Sequence, residues 1–401
     1  MIYSEGMGIR SSFVRLPWWG RIAVLVLASL LFVRFSAWIG VRFLVPAVGW
    51  DVGVLDLADS AARFEGWLAR WDSSHYLRIA EQGYRPGGME RAFFPLYPLV
   101  TRAISFVTHL PLLWGGLLLS SLCLIGAALL LYRWVLLDHS PEAAGWSVIW
   151  LCVFPMGFFF AAFYTEGLFV LLSLASLYLA RRGRFLLSGS CIALAGATRA
   201  PAFLLAIPYF VEFLAQRDFR RGRLLSFALG SLVAPVGTLA YLSFLSSQAG
   251  SPHLLNVLAA VLASEYQRWF TWPWLTLWDG LRAALAGKGI PPAWFSRAIN
   301  LQDTSYALLG LAAALWSLFR LRMSTALYFL ANVVFLYISH GPAGDAFFSF
   351  PRYLAALVPL YLVLALWTLR LPARLRWLPL GLSILLLGML SAWFATGRWV
   401  A

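Results

Sequence analysis

The chain has 401 residues, of which 61% are hydrophobic and only 12% charged, and its mean hydropathy is +0.77. This composition excludes a water-soluble domain and places the chain in the polytopic membrane class. The formal charge of +14 would suit a nucleic-acid binder, but the basic residues fall in short clusters between apolar runs rather than on one soluble face, so no nucleic-acid partner is expected.

Taken in order, Arg10, Arg15 and Arg21 precede a first apolar run that is longer than a secretory signal and lacks a small-residue cleavage site. It reads as a retained signal anchor. Runs long enough to cross roughly 30 Å of hydrocarbon lie at 21–45, 112–132, 144–163, 165–180, 185–199, 201–216, 224–246, 304–319, 324–340, 352–369 and 377–396. They predict an all-α polytopic protein of about eleven transmembrane helices, forming a single domain over 1–401. Cys123, Cys152 and Cys191 lie inside these runs without paired spacing, so neither a disulfide framework nor a cysteine metal site is expected. With the N-terminus in the cytoplasm, the inner face holds 16 of the 31 basic residues but, counting Glu212 near the inner end of 201–216, only five of the 17 acidic ones. The positive-inside rule demands that asymmetry, and an odd helix number then puts the C-terminus outside.

Two long segments, 46–111 and 247–303, fall on the outer side, and neither has the composition of a disordered linker. In the first, Leu96, Leu99, Val100, Ala103, Ile104 and Val107 follow a helical repeat with Arg102 opposite, as in a helix lying in the membrane interface. In the second, Trp269, Phe270, Trp272, Trp274 and Trp278 crowd together, which fits either an aromatic belt or a groove for a lipid substrate.

The chemistry concentrates after the first crossing, in Trp71-Asp72-Ser73-Ser74-His75-Tyr76 and on to Phe93-Phe94-Pro95-Leu96-Tyr97-Pro98. An ionisable group at membrane depth is costly unless paired or wet, so each one is a functional candidate. Asp72 follows the first run, Glu166 sits between the third and fourth, Arg199 between the fifth and sixth, and Arg352 opens the tenth, with His340 and Asp345 just before it. All fall at one predicted face. Each also has a structural alternative: Arg199 or Arg352 snorkelling at a helix end, Glu166 or Asp72 capping a helix, His75 satisfying a hydrogen bond. The chain lacks a GxxxxGK[ST] phosphate loop, a GxGxxG turn and an HExxH pair. A substrate handled at the outer face is therefore a lipid or already outside, which favours a lipid-phosphate-activated donor. A transporter or flippase is the rival, but it would more typically show two related halves with ionisable residues near the midplane.

At these residues, together with Tyr164-Thr165-Glu166-Gly167-Leu168-Phe169, Ala195-Gly196-Ala197-Thr198-Arg199 and Pro351-Arg352-Tyr353-Leu354, the sequence resembles the PIG-V mannosyltransferases of the GT-C superfamily, as a bacterial-type homologue in the inner membrane. The resemblance implies a GT-C-like bundle, a polyprenyl-phosphate-mannose donor and a lipid- or glycan-linked acceptor. Eukaryotic members add the second mannose in GPI-anchor assembly, and the family name does not fix the acceptor here. Asp72 matches the catalytic acid of the first extracytoplasmic loop, where it would act as the general base of an inverting single displacement. Arg199 and Arg352 would stabilise the leaving phosphate, with His75 next. Glu166 would orient a sugar hydroxyl or hold an Arg, and Tyr97, His340 and Tyr353 complete the substrate-binding candidates. GT-C relatives often pair acids in this loop, whereas Asp72 has no acidic neighbour, so no metal or other cofactor is expected.

Overall fold

A computed structural model describes residues 16–45, 64–85, 88–249, 269–286, 293–342 and 345–400. The chain is helical almost throughout. The first apolar run is α1 (Trp18–Phe43). The long loop after it carries α2 (Ser73–Gln82) and α3 (Leu96–Thr108). There follow α4 (Leu112–Val135), α5 (Pro141–Val153), α6 (Glu166–Arg181), α7 (Phe185–Gly196), α8 (Ala206–Gln216), α9 (Arg221–Val233) and α10 (Val236–Ala249). A two-residue strand β1 (Trp269–Phe270) precedes α11 (Pro273–Ala286), α12 (Ala293–Arg320) and α13 (Met323–Ile338). Strand β2 (Ser339–His340) pairs antiparallel with β1, and α14 (Phe350–Ala355), α15 (Pro359–Arg370) and α16 (Trp377–Ala395) complete the bundle.

The helices are apolar inside and out. α1 buries Ile22, Val26, Leu30, Val33 and Ala37 while leaving Leu31, Phe35 and Phe43 exposed. Only lipid makes such an outer face inexpensive, and in lipid a helix satisfies its own backbone. Among the described residues α1, α4, the Arg221–Gln248 run and α16 are long and apolar enough to cross a membrane. α7, the Ala200–Gln216 run, α13 and α15 are apolar but shorter. The protein is thus membrane-embedded and multi-pass, with long apolar helices beside shorter ones among the described residues.

Prolines account for much of that difference. A proline lacks the N–H that would continue a helix and biases the residue before it toward extended backbone. Where 144–163 was expected to be one span, α5 stops at Val153; Phe154 is extended, and Pro155–Phe160 forms a 3-10 turn. The run expected at 201–216 likewise opens with a 3-10 turn, Ala200–Leu205. The expected span 352–369 is split into α14 and α15, with Pro359 opening the latter. The expected span 304–319 errs the other way, because α12 begins at Ala293. Its added turns carry Ser296, Asn300 and Asp303, which are buried despite their polarity, and a hydropathy criterion rejects them. The segment 247–303 consequently holds α11 and the head of α12, while its residues 250–268 and 287–292, like Arg10, Arg15 and 46–63, lie outside the described residues.

The expected interfacial helix is α3, which buries Tyr97, Pro98 and Thr101 and exposes Leu99, Phe106 and Val107; Arg102 lies beside that exposed face rather than opposite it. Small residues allow other helices to approach closely. A Cβ on Gly189 of α7 would collide with the backbone of Gly230 on α9, so this crossing requires glycine. Buried hydroxyls are bonded between helices, as in Trp150 Nε1 to Thr368 Oγ1 at 2.9 Å and Ser176 to Ser188 at 3.0 Å. Arg181 closes α6 near the buried Glu212, which Arg322 holds with two hydrogen bonds, at 2.6 and 3.0 Å. Sixteen residues of α6, about 24 Å of helix, separate that ion-pair cluster from the one at Glu166.

Candidate functional site

The breaks in the helices converge on one place. α2 forms because Tyr76, Ile79 and Ala80 recur at helical spacing and are buried together, and Gly83, with φ of 77°, ends it. Asp72 stands at the helix N-cap, yet its side chain caps nothing. Its Oδ2 accepts instead from Arg352 Nη1 of α14 at 2.6 Å. Arg352 also donates through Nε to Glu166 Oε1, and the same oxygen receives Arg199 Nη1. Arg199 Nη1 lies 3.5 Å from Thr165 Oγ1, the residue before α6.

Four charged side chains from four separate elements therefore alternate as Asp72, Arg352, Glu166 and Arg199. Their side-chain exposures are 25%, 6%, 0% and 9%, so Asp72 is the most open of the four and Glu166 is sealed in the middle. Two carboxylates and two guanidinium groups sum to zero charge, the condition under which buried charges are tolerable. Aromatic faces complete the enclosure: Arg352 lies over the rings of Tyr164 and Phe159 at 4.6 and 5.0 Å, and Arg199 over that of Tyr353 at 5.1 Å. Oδ1 of Asp72, Nη2 of Arg352, and Nε and Nη2 of Arg199 make no hydrogen bond to the described residues.

Two cavities meet here, both lined by Asp72, Arg352, Tyr353 and Ala92. The first encloses about 1070 Å³, open mouth included. Arg91, Arg199 and Arg352 supply its positive charge, and Leu242, Leu245, Phe335, Leu336 and Phe270 much of its apolar wall. The second, about 930 Å³, is lined by His75, Met89, Phe93, Phe348 and Trp399. His75 stacks on Phe93 with ring centres 4.5 Å apart, so it serves the second cavity, across Asp72 from Arg199.

The remaining candidates are placed differently. Tyr97 is fully buried outside both cavities, its hydroxyl 2.9 Å from Gly116 O and from Ser120 Oγ. Its ring packs against that of Tyr76, and it lines neither cavity. His340 is buried in β2, stacked on Trp269 at 4.5 Å, with Nε2 3.3 Å from Asp279 Oδ2. It braces the strand pair that brings Trp269 and Phe270 into the first cavity wall, while its own ring lines neither cavity. Trp272, Trp274 and Trp278 are exposed and line neither.

Sequence reasoning passed over Arg91, Tyr241 and Trp399. Tyr241 of α10 donates to Arg91 O at 2.8 Å and so fastens a distant helix to the loop beside Asp72. A lone tyrosine in an apolar run gives no sequence signal for this. Arg91 could have been suspected from its place between Glu90 and Phe93. Nearby, Glu90 is fully buried; burial pushes its carboxyl up, but hydrogen bonds from Arg78 and Arg85, each 2.8 Å, outweigh that and hold it at about 2.

Residues 22–228 match the family model described as mannosyltransferase (PIG-V). A protein of Rattus norvegicus named GPI alpha-1,6-mannosyltransferase 2 is 34% identical over 148 residues, covering 34% of this chain and 29% of that protein. GPI mannosyltransferase 2 of Yarrowia lipolytica is 29% identical over 165 residues, 40% of this chain and 45% of its own length. The matches thus span less than half of either relative. The crystal structure of ArnT from Cupriavidus metallidurans bound to undecaprenyl phosphate shares the fold, a GT-C-like bundle, with a TM-score of 0.54 at 17% identity, covering 92% of this chain and 64% of that one.

Proposed function

The chain belongs to the PIG-V mannosyltransferase family, and from that premise we propose that it moves a mannosyl group from a polyprenyl-phosphate donor to a lipid- or glycan-linked acceptor at the extracytoplasmic membrane face. The observation that carries this reading is the pair of cavities meeting at Asp72. In a single displacement the attacking hydroxyl and the leaving phosphate lie on opposite sides of the anomeric carbon. Two chambers divided by one accessible carboxylate suit that geometry.

The first cavity suits the donor. Its leucine and phenylalanine walls accommodate an isoprenoid chain, and the unpaired donor groups of Arg199 and Arg352 can meet a phosphate. The second cavity suits the acceptor, with aromatic rings for a sugar face and His75 for a hydroxyl. Asp72 takes the proton of the acceptor hydroxyl as its oxygen bonds to the anomeric carbon, and the electrons of the breaking glycosyl bond pass to the phosphate. Glu166 does not face the substrate; it holds both arginines in place. Donor phosphate competes with Asp72 for Arg352, so its arrival loosens the base for proton transfer. In this scheme charge neutralisation by the arginines lets the phosphate depart without being protonated.

The test is transfer by the purified chain supplied with polyprenyl-phosphate mannose and a panel of glycosides, with products identified by mass spectrometry. Asp72→Asn is expected to lower transfer at least about a hundredfold, while photo-crosslinking to the donor persists. Near-normal turnover by that variant removes Asp72 from the mechanism. The corresponding glucosyl donor tests the choice of sugar.

A further inference from the structure

The segment Thr396–Val400 lies at the candidate site although none of its residues was a site candidate. α16 ends in a reversal in which Gly397 adopts φ of 80°, its N–H bonded to Phe394 O. That turn sends the following residues back toward α2. Trp399 then lines the second cavity, stacked face to face on Phe348 with ring centres 4.9 Å apart and planes within 9°. Its indole N–H is buried without an acceptor among the described residues, so packing rather than hydrogen bonding sets its position.

The same segment grips the turn that carries Asp72. Trp71, immediately before Asp72, has φ of 55°, a left-handed conformation that a bulky side chain adopts only when its surroundings impose it. Several contacts impose it here. The Trp71 ring meets Trp399 edge to face at 5.0 Å, and its Nε1 donates to Arg398 O at 3.4 Å. Arg70, one residue earlier and buried, donates through Nε to Ala395 O at 3.1 Å. Gln302 of α12 anchors the far end by donating to Val400 O at 2.8 Å.

We propose that Thr396–Val400 is a working part of the site, with Trp399 a positioning residue that sets the Trp71–Asp72 turn and forms the acceptor-side wall. The first half of this stands on the geometry alone. The second half rests on the transferase reading given above.

The experiment keeps the two apart. The full chain in nanodiscs, with Cys123, Cys152 and Cys191 replaced by Ala and carrying Asp72→Cys, is exposed to a charged methanethiosulfonate reagent, so the labelling rate reports the turn without catalysis. Adding Trp399→Ala is expected to speed labelling by about tenfold or more, and Trp399→Phe, which keeps the stack, by less than about threefold. Gly397→Ala, strained at its positive φ, displaces the segment without touching Trp399 and is expected to act like Trp399→Ala. Unchanged labelling in both Trp399→Ala and Gly397→Ala overturns the positioning role. With Asp72 intact, Trp399→Ala is expected to raise the KM for octyl α-mannoside about tenfold at constant KM for polyprenyl-phosphate mannose. Equal changes in both constants, or none, overturn the acceptor-wall role. An unsubstituted chain that transfers no mannose to any glycoside refutes the transferase reading and this role with it, while labelling still decides the first half.

Discussion

Glu166→Gln tests the charge network most directly. The substitution preserves shape while removing the one negative charge that both Arg199 and Arg352 contact, at a position with no exposure. The amide oxygen can still accept from both guanidinium groups. The new NH₂ takes the place of Oε2, which has no partner among the described residues, so it gains no acceptor. The network passes from neutral to one uncompensated buried positive charge. Breaking a buried ion pair from one side costs about 3–5 kcal/mol. At an unfolding entropy of about 2.1 cal/mol/K per residue, a chain of 401 residues then loses about 4–6 °C in its thermal midpoint. Thermal unfolding in nanodiscs, followed by tryptophan fluorescence, measures it. The double variant Glu166→Gln/Arg199→Gln restores neutrality and is expected to recover about 1–3 kcal/mol relative to the sum of the single changes. A Glu166→Gln protein as stable as the unsubstituted one, or strict additivity in the cycle, would refute the argument that these charges stabilise one another.

Other perturbations address other parts of the site. Arg352→Lys keeps the charge but not the fork that reaches Asp72 and Glu166 together, so the KM for polyprenyl-phosphate mannose is expected to rise about tenfold or more in steady-state assays. Leu245→Trp narrows the apolar wall of the first cavity; competition between donors should then favour short isoprenoid chains over long ones, and an unchanged preference would move the chain elsewhere. For Glu90 the folded carboxyl titrates near 2, below its unfolded value of about 4.3. Its stabilising contribution is therefore complete above about pH 4.3 and is lost as the pH falls toward 2. Glu90→Gln should lower the thermal midpoint at pH 7 and flatten its decline over that acid window. Parallel acid profiles for the two proteins would show that the Arg78 and Arg85 contacts do not govern this titration.

Much of the site could be read from the sequence because charge is conspicuous in an apolar chain. Asp72, Glu166, Arg199 and Arg352 each lie beside long hydrophobic runs, where an ionisable group is expensive without a compensating partner. Hydropathy also located most of the helices, but it treated the polar buried turns at Ser296, Asn300 and Asp303 as loop. The prolines at 155, 201 and 359 carried a signal for the helix breaks that a length criterion alone ignores. Tyr97 and His340 show the opposite limit. Both have the chemistry of substrate ligands, yet the packing of α3 on α4 and the pairing of β2 with β1 leave them lining neither cavity.

By itself, then, the sequence determined the solvent, the helical class and the identity of the charged groups that cannot be left alone in lipid. These follow from the free energy of moving each residue out of water, a property local to the chain. The tertiary structure decided which charge answers which, that one carboxylate would stand between two chambers, and that a tryptophan more than three hundred residues from Asp72 in sequence would press on its turn. Such choices depend on which helices lie side by side, and in an apolar chain nearly every helix face is equally willing to be buried.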